Sequence, residues 1–230
     1  MDKAHEKAVY HYNLGVQYEK ENNVKEAKAE YKKALEADST FPYPYRAIGE
    51  IFYREGNLDD ALRELTTALK LDPGWVEVMA LIAEVYYEKG DLGRAIQQQE
   101  KALQSEPNNI QYNVLMGRML ITDERYSDAI EILSNARKID EGNFLLHYNL
   151  GVAFGKRAMA DLDVSIEHWK KARQLKPDDP QVHRNVGIAF FTKGLLEEAA
   201  ESFRKALSLD PSDSAARKFL RYAENLRKSG

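Results

Sequence analysis

Residues Pro180 to Asp213 read PQVHRNVGIAFFTKGLLEEAAESFRKALSLDPSD, and this stretch recurs through the chain. With Gly187 as the register mark, Gly151, Gly117, Ala83, Gly49 and Gly15 follow at intervals of 36, 34, 34, 34 and 34 residues. Self-similarity at such a period marks a repeat architecture, in which single units cannot bury their apolar faces and stacked neighbours can. Within the stretch, Val186 and Phe190 belong to one apolar face, and Ala199, Phe203 and Ala206 to another. Steps of three or four residues within each group are helical spacing, so the unit reads as a helix A, a turn and a helix B.

The same slots recur in the other registers. They read Leu14-Gly15, Tyr18, Ala27, Tyr31, Ala34; then Ile48-Gly49, Phe52, Ala61, Leu65, Ala68, Pro73; then Ile82-Ala83, Tyr86, Ala95, Gln99, Ala102, Pro107. Met116-Gly117, Leu120, Ala129, Leu133, Ala136 follow. The fifth copy reads Leu150-Gly151, Phe154 and, after a two-residue insertion, Trp169, Ala172, Pro177. This pattern resembles the tetratricopeptide repeat. The resemblance covers Ala8 to Asp213 in six copies: 8–41, 42–75, 76–109, 110–143, 144–179 and 180–213. It implies an all-α fold, a right-handed superhelical α-solenoid of antiparallel helix pairs forming one solenoid domain, with residues 1–7 as a frayed polar tail.

Local chemistry supplies reasons for the pattern. The turn after helix A needs a left-handed residue; Gly56, Gly90 and Gly194 fill it in repeats two, three and six, Asn22 in the first, and Glu124 in the fourth. Small residues at the register mark allow helices A and B to cross closely, with Ala27, Ala61, Ala95, Ala129 and Ala199 as the expected facing partners. Pro73, Pro107, Pro177 and Pro211 stop helix B, since proline lacks the donor and disfavours helix before it. Gln99 stands where other repeats have a large apolar residue, which makes the third repeat the expected soft point. The insertion around Lys156–Ala160 predicts a longer A–B turn. Ser214–Lys228 lacks the signature but is amphipathic through Ala216, Phe219, Leu220, Ala223 and Leu226; residues 214–230 read as a capping helix and tail covering the last repeat.

Composition narrows the function. The net charge of −4 argues against a nucleic-acid partner, which calls for a basic stripe. With no cysteine there is no thiol chemistry or disulfide. No apolar run approaches a membrane span, and the first residues carry no secretory h-region, so a cytoplasmic location without membrane insertion is expected. No phosphate loop, nucleophile elbow or metalloprotease motif occurs. The expectation is no enzyme, no cofactor and no metal. His11, His147 and His183 share one slot, read as an aromatic packing position rather than a metal or catalytic pair, and His168 reads as a surface residue.

The resemblance implies that the A helices line a concave groove that binds a protein or peptide. The last three repeats place Arg118, Tyr148, Asn149, Lys156, Arg184, Asn185, Ile188 and Phe191 there, three bases with no acid among the groove positions. This predicts an acidic ligand or one with a free carboxylate. The first three repeats offer a secondary groove of Tyr12, Asn13, Tyr43, Arg46, Glu50, Tyr53, Glu84 and Tyr87. Asn13, Asn149 and Asn185 share the position where asparagines in some members resemble a ladder for peptide main chain, since an amide both donates and accepts. Ala47, Leu81 and Leu115 interrupt it. Tyr12 and Val16 depart from the Lys and Asn of the family's carboxylate clamp. The reading is a non-catalytic interaction scaffold or adaptor, with the monomer favoured and the oligomeric state left open by the sequence. Its rivals are a structural or self-assembling scaffold and the targeting module of a larger enzyme.

Overall fold

The computed structural model describes residues 3–157 and 161–229. Among them run thirteen α-helices and no strand. In order these are α1 (Lys3–Lys20), α2 (Val24–Ala37), α3 (Pro42–Arg54), α4 (Leu58–Leu71), α5 (Val76–Glu88) and α6 (Leu92–Ser105). Then come α7 (Ile110–Thr122), α8 (Tyr126–Ile139), α9 (Phe144–Arg157), α10 (Leu162–Leu175), α11 (Pro180–Thr192), α12 (Leu196–Leu209) and α13 (Ser214–Ser229). Each 34-residue unit is thus an A–B pair. The contacts form two compact units, Met1–Pro107 with the first three pairs and Asn108–Gly230 with the rest. In a repeat array each pair touches only its neighbours, so one sequence domain can hold more than one contact unit.

The A–B turns follow one rule. Asn22 and Glu124 have φ of 61° and 60°, and Gly56, Gly90 and Gly194 have φ of 77–78°. In the second repeat Gly56 N–H donates to the Tyr53 carbonyl at 3.0 Å, and Asn57 N–H to that of Phe52 at 2.9 Å. This is a Schellman ending, which satisfies carbonyls that the helix end leaves open. The fourth repeat makes the same pair through Glu124 and Arg125, at 3.2 and 2.9 Å. There a side chain bears the left-handed strain that glycine avoids.

The register mark packs differently from the expectation. A methyl on Gly15, Gly49, Gly117 or Gly187 would come within 2.5–2.7 Å of Tyr31, Leu65, Leu133 or Phe203 respectively, and one on Gly151 would collide with the Trp169 indole. The facing partner of the small residue is therefore the large residue of helix B. The alanines at 27, 61, 95, 129 and 199 are fully buried but are not those nearest atoms. Repeat three breaks both halves of the rule together: Ala83 carries the methyl, and unbranched Gln99, fully buried, takes the place of the ring or leucine.

Two ends of the chain behave alike. Helix α1 starts at Lys3, so residues 3–7 are helical rather than a frayed tail. His5 explains the extension: its Nδ1 lies 2.7 Å from Asp38 Oδ2, and its ring meets Phe41 edge-on at 5.2 Å. At the other end α13 packs against α12 and beside α11. Phe219 stacks on Phe203 at 5.8 Å, and Ala216 and Ala223 are fully buried. In the fifth repeat α9 runs on to Arg157, and α10 resumes at Leu162, two residues late for the period. Of the expected long turn at Lys156–Ala160, residues 158–160 lie outside the described residues.

Two stability outcomes follow from these contacts. Glu124→Gly should raise stability by about 0.5–1 kcal/mol: relief of a left-handed conformation, worth about 1–2 kcal/mol, is partly offset by the unfolded-state entropy of glycine. Its urea midpoint should rise with an unchanged slope. Gly117→Ala should cost about 1–3 kcal/mol by overpacking Leu133, although alanine is the better helix former. The complementary test is Gln99→Leu, expected to destabilise alone and to be rescued by Ala83→Gly in the same chain. Strict additivity in that double-mutant cycle would show that the two positions do not share space.

Candidate functional site

In the unit Asn108–Gly230, helices α7, α9 and α11 are the A helices, and α9 lies beside both α7 and α11. Loops after helix B enter them through side-chain caps. Asn109 Oδ1 accepts from Tyr112 N–H at 3.2 Å, and Asn143 Oδ1 from Leu145 N–H at 3.0 Å. Asp179 Oδ1 accepts from Gln181 N–H at 2.9 Å, and Asp213 Oδ1 from Ala216 N–H at 2.9 Å. These caps answer the open donors of each first turn.

The eight expected groove residues of this unit do not form one open set. Tyr148 is half-buried at its centre: its hydroxyl donates to Gln181 Oε1 at 3.2 Å and accepts from Asn185 Nδ2 at 3.2 Å. A phenol and two amides thereby bridge α9 and α11. Arg118 and Lys156 are exposed, and Ile188 is half-buried. Lys156 forms no ion pair among the described residues.

Three placements correct the sequence reading. Asn149 is buried, and its amide donates to the Leu145 carbonyl one turn back at 2.8 Å, so it serves its own helix. Arg184 donates to Asp213 Oδ2 at 2.8 Å; that carboxylate is 4% exposed, and it cancels the positive charge assigned to the groove. Phe191 meets Phe219 of α13 edge-on at 5.7 Å. The last two corrections have one cause. Helix α13 takes the place a seventh A helix would occupy, and it claims the side chains of α11 that face it.

The unit Met1–Pro107 holds a different surface. Where the later repeats have capping Asn or Asp, Phe41 and Trp75 stand before α3 and α5, with no side-chain cap. Ring contacts run from Tyr12 to Phe41 (5.5 Å) and Tyr43 (5.9 Å), and from Tyr43 to Trp75 (4.9 Å). Tyr43 is 45% exposed, and the Arg46 guanidinium lies 5.5 Å from the centre of the Trp75 ring. Arg46 also pairs with Glu50 at 2.6 Å. Asn13 is exposed, while Tyr53, Glu84 and Tyr87 are half-buried. Phe41 and Trp75 were missed in the sequence because they sit outside the helix-A slots; their signal was two aromatics one period apart, just before the helix starts.

The histidines carry the clearest electrostatics. His147 Nε2 lies 3.0 Å from the Glu141 carbonyl, and His183 Nε2 2.7 Å from that of Pro177. His147 and His183 are thus buried, hydrogen-bonded packing residues, as the shared slot implied. His168 is not a surface residue. Its Nδ1 faces His147 Nδ1 at 3.1 Å, and its ring stacks on Phe154 at 5.5 Å and 7°. Because His147 donates through Nε2, its Nδ1 is the acceptor and His168 Nδ1–H the donor. Two neutral rings satisfy this geometry; two charged ones would put proton against proton. Burial and the His147 ring beside it push His168 down to about 4, and burial lowers His147 too. No three His, Cys, Asp or Glu side chains among the described residues are grouped to hold a metal.

A pH dependence follows with a definite sign. Both histidines stay neutral in the fold below the pH at which they charge when unfolded, near 6.5, so the unfolded chain binds more protons. Their contribution is complete above about pH 6.5 and is lost as pH falls toward 4. His168→Asn keeps a donor but does not titrate, so its stability should fall less steeply between pH 6.5 and 4. Parallel urea midpoints for the two proteins across that range would refute the assignment.

Comparison with known proteins agrees with this geometry. Tetratricopeptide repeat profiles match residues 8–41, 52–119 and 155–214, together more than half of the chain. The small glutamine-rich tetratricopeptide repeat-containing protein 2 of Mycosarcoma maydis is 26% identical over 104 residues, 45% of this chain; the match spans 29% of that relative's length. Among solved structures, PilF of Pseudomonas aeruginosa superposes with a TM-score of 0.79 at 17% identity, covering 95% of this chain and 99% of its own. YrrB, titled a TPR protein with an unusual peptide-binding site, gives 0.65 at 23% identity, covering 82% and 96%. Those two likenesses concern the fold. No helix among the described residues is long and apolar enough to cross a membrane. Among the described residues twelve helices in six A–B pairs followed by α13, a glycine register kept by steric contact, and matched profiles along the chain place this protein in the tetratricopeptide repeat family.

Proposed function

We propose that the chain is a non-catalytic scaffold or adaptor that holds an extended or helical segment of a protein partner along α7, α9 and α11. One observation carries this reading. The Tyr148–Asn185–Gln181 cluster bridges two A helices at a half-buried position, with exposed cations Arg118 and Lys156 on the same set of helices. Phenol and amide groups both donate and accept, so they can hold main chain whatever its side chains. Lysine and arginine favour a segment carrying carboxylates, chiefly through on-rate and salt sensitivity. YrrB, described as a TPR protein with an unusual peptide-binding site, has a similar fold, which supports this reading. Ordering a flexible segment offsets part of the contact energy, so affinity is modest. A cytoplasmic, monomeric protein suits this role.

Photocrosslinking tests it. A benzophenone residue at Tyr148 should trap a partner from native lysate, and the same group at exposed Lys101 on α6 should not. Raising salt should weaken capture at 148. Adducts confined to position 101, or equal at both, would move the binding surface away from the A helices.

A further inference from the structure

In five of six repeats the position four residues after the register mark carries a sizeable side chain: Glu19, Tyr53, Tyr87, Ile121 and Phe191. In the fifth it is Gly155. A cavity of about 250 Å³ opens at this point. Leu162 and Trp169 of α10 and Ile188 of α11 form its apolar wall, and Lys156 and Thr192 stand at its rim. Gly155 is part of the lining, and its neighbours already close on the point where a side chain would begin. A methyl at 155 would lie 3.1 Å from the far edge of the Trp169 ring and 2.9 Å from Ser165 Oγ. Ser165 is fixed there, since its hydroxyl donates to the Gly151 carbonyl at 2.8 Å. The indole edge is thus reached from outside across a position with no side chain of its own.

From this we infer that the Gly155 cavity is the anchor subsite for the partner: it takes one large apolar side chain, aromatic or branched, from a segment with a carboxylate beside that anchor. Three observations select this occupant. The volume lies below that of drug-sized pockets and suits one side chain. Four of the other five repeats supply a residue of this kind themselves, Tyr53, Tyr87, Ile121 and Phe191, while the first has Glu19. Among the described residues no carboxylate lines the cavity, and Lys156 at its rim forms no ion pair. The nearby cations Arg157 and Lys193 are held by Asp161 and Asp163. Buried anchors of this sort supply most of the binding energy in an interface, with charged rims adding specificity. The inference rests on the reading of the A helices as the partner's site and gives that site its chemistry.

The test uses the full chain and 3-phenylpropionate, a ring and a carboxylate in one small molecule. Two tryptophans give two indole N–H signals by NMR, with Trp75 as the internal control. The Trp169 signal should shift and saturate with Kd on the order of 1 mM, the range for so few atoms. Propionate and 3-phenylpropylamine should bind at least about tenfold more weakly, and Lys156→Glu should reverse the preference between the acid and the amine. Gly155→Phe should abolish the shift by filling the cavity from within. Should that variant fold poorly beside Ser165, the exposed Lys156→Glu still decides the matter. An unmoved Trp169 signal, or a shift indifferent to Lys156→Glu, would overturn the subsite. The wider reading falls separately: a captured partner lost on Tyr148→Ala but indifferent to Lys156→Glu and Gly155→Phe would keep the groove and remove the anchor.

Discussion

The close approach of one glycine to one large side chain sets the geometry of five of the six helix pairs. Gly15 under Tyr31, Gly49 under Leu65, Gly117 under Leu133 and Gly187 under Phe203 leave no room for a methyl. Such a contact fixes both axial distance and rotation, because the large residue packs only where the Cβ is missing. A core at crystal-like density transmits that constraint rather than absorbing it. The remaining features then follow in sequence. A–B pairs of fixed shape bury Ala27, Ala61, Ala95, Ala129 and Ala199 completely, and stacking repeats the same face at each period. The third repeat shows the constraint by exception. A methyl at Ala83 is tolerated where the partner is unbranched Gln99 rather than a leucine or a ring.

Much of this fold was legible in the sequence because its determinants are local. Left-handed residues at 22, 56, 90, 124 and 194 could be placed from the period and the chemistry of helix ends alone. Even Glu124 adopts the conformation its position demands, so tertiary packing overrides the preference of the residue. Two features were less legible, and for a physical reason. Whether Lys3–Lys7 continue a helix depends on His5 reaching Asp38 and Phe41, a contact across 33 residues. Which residue faces the glycine depends on the crossing of two helices, and periodicity gives only the face.

The site was legible to a smaller degree. Spacing put Tyr148, Lys156, Asn185 and Ile188 on the A helices, where Tyr148 and Asn185 bond each other, Lys156 is exposed and Ile188 is half-buried. It could not show that a neighbour would consume Arg184 and Phe191. In a stacked array one side of each A helix belongs to the groove and the other to the next repeat, and the two sides are only a fraction of a turn apart. Arg184 reaches Asp213 and Phe191 reaches Phe219 because α13 lies beside α11. Charge counted along a face therefore overstates the field the groove presents. Asn149 illustrates a second loss: a short amide in a helix can bond back to its own i−4 carbonyl, and burial makes that bond obligatory. His168 illustrates a third. Its ring turns inward because His147 on the paired helix offers an acceptor and Phe154 a flat apolar face, neither visible from its own neighbours in sequence.

The fifth repeat concentrates the departures from the pattern, and they are physically linked. It carries the bulkiest helix-B residue, Trp169, and the smallest helix-A residue at the next turn, Gly155. An indole is longer than the rings or leucines of the other repeats, so its far edge extends past Gly151 toward the turn above, where any side chain at 155 would meet it. Ser165 then fills the remaining space with a small group tied to the Gly151 carbonyl. Trp169, Gly155 and Ser165 compensate one another, and the wall of Leu162, Trp169 and Ile188 lies beside Lys156.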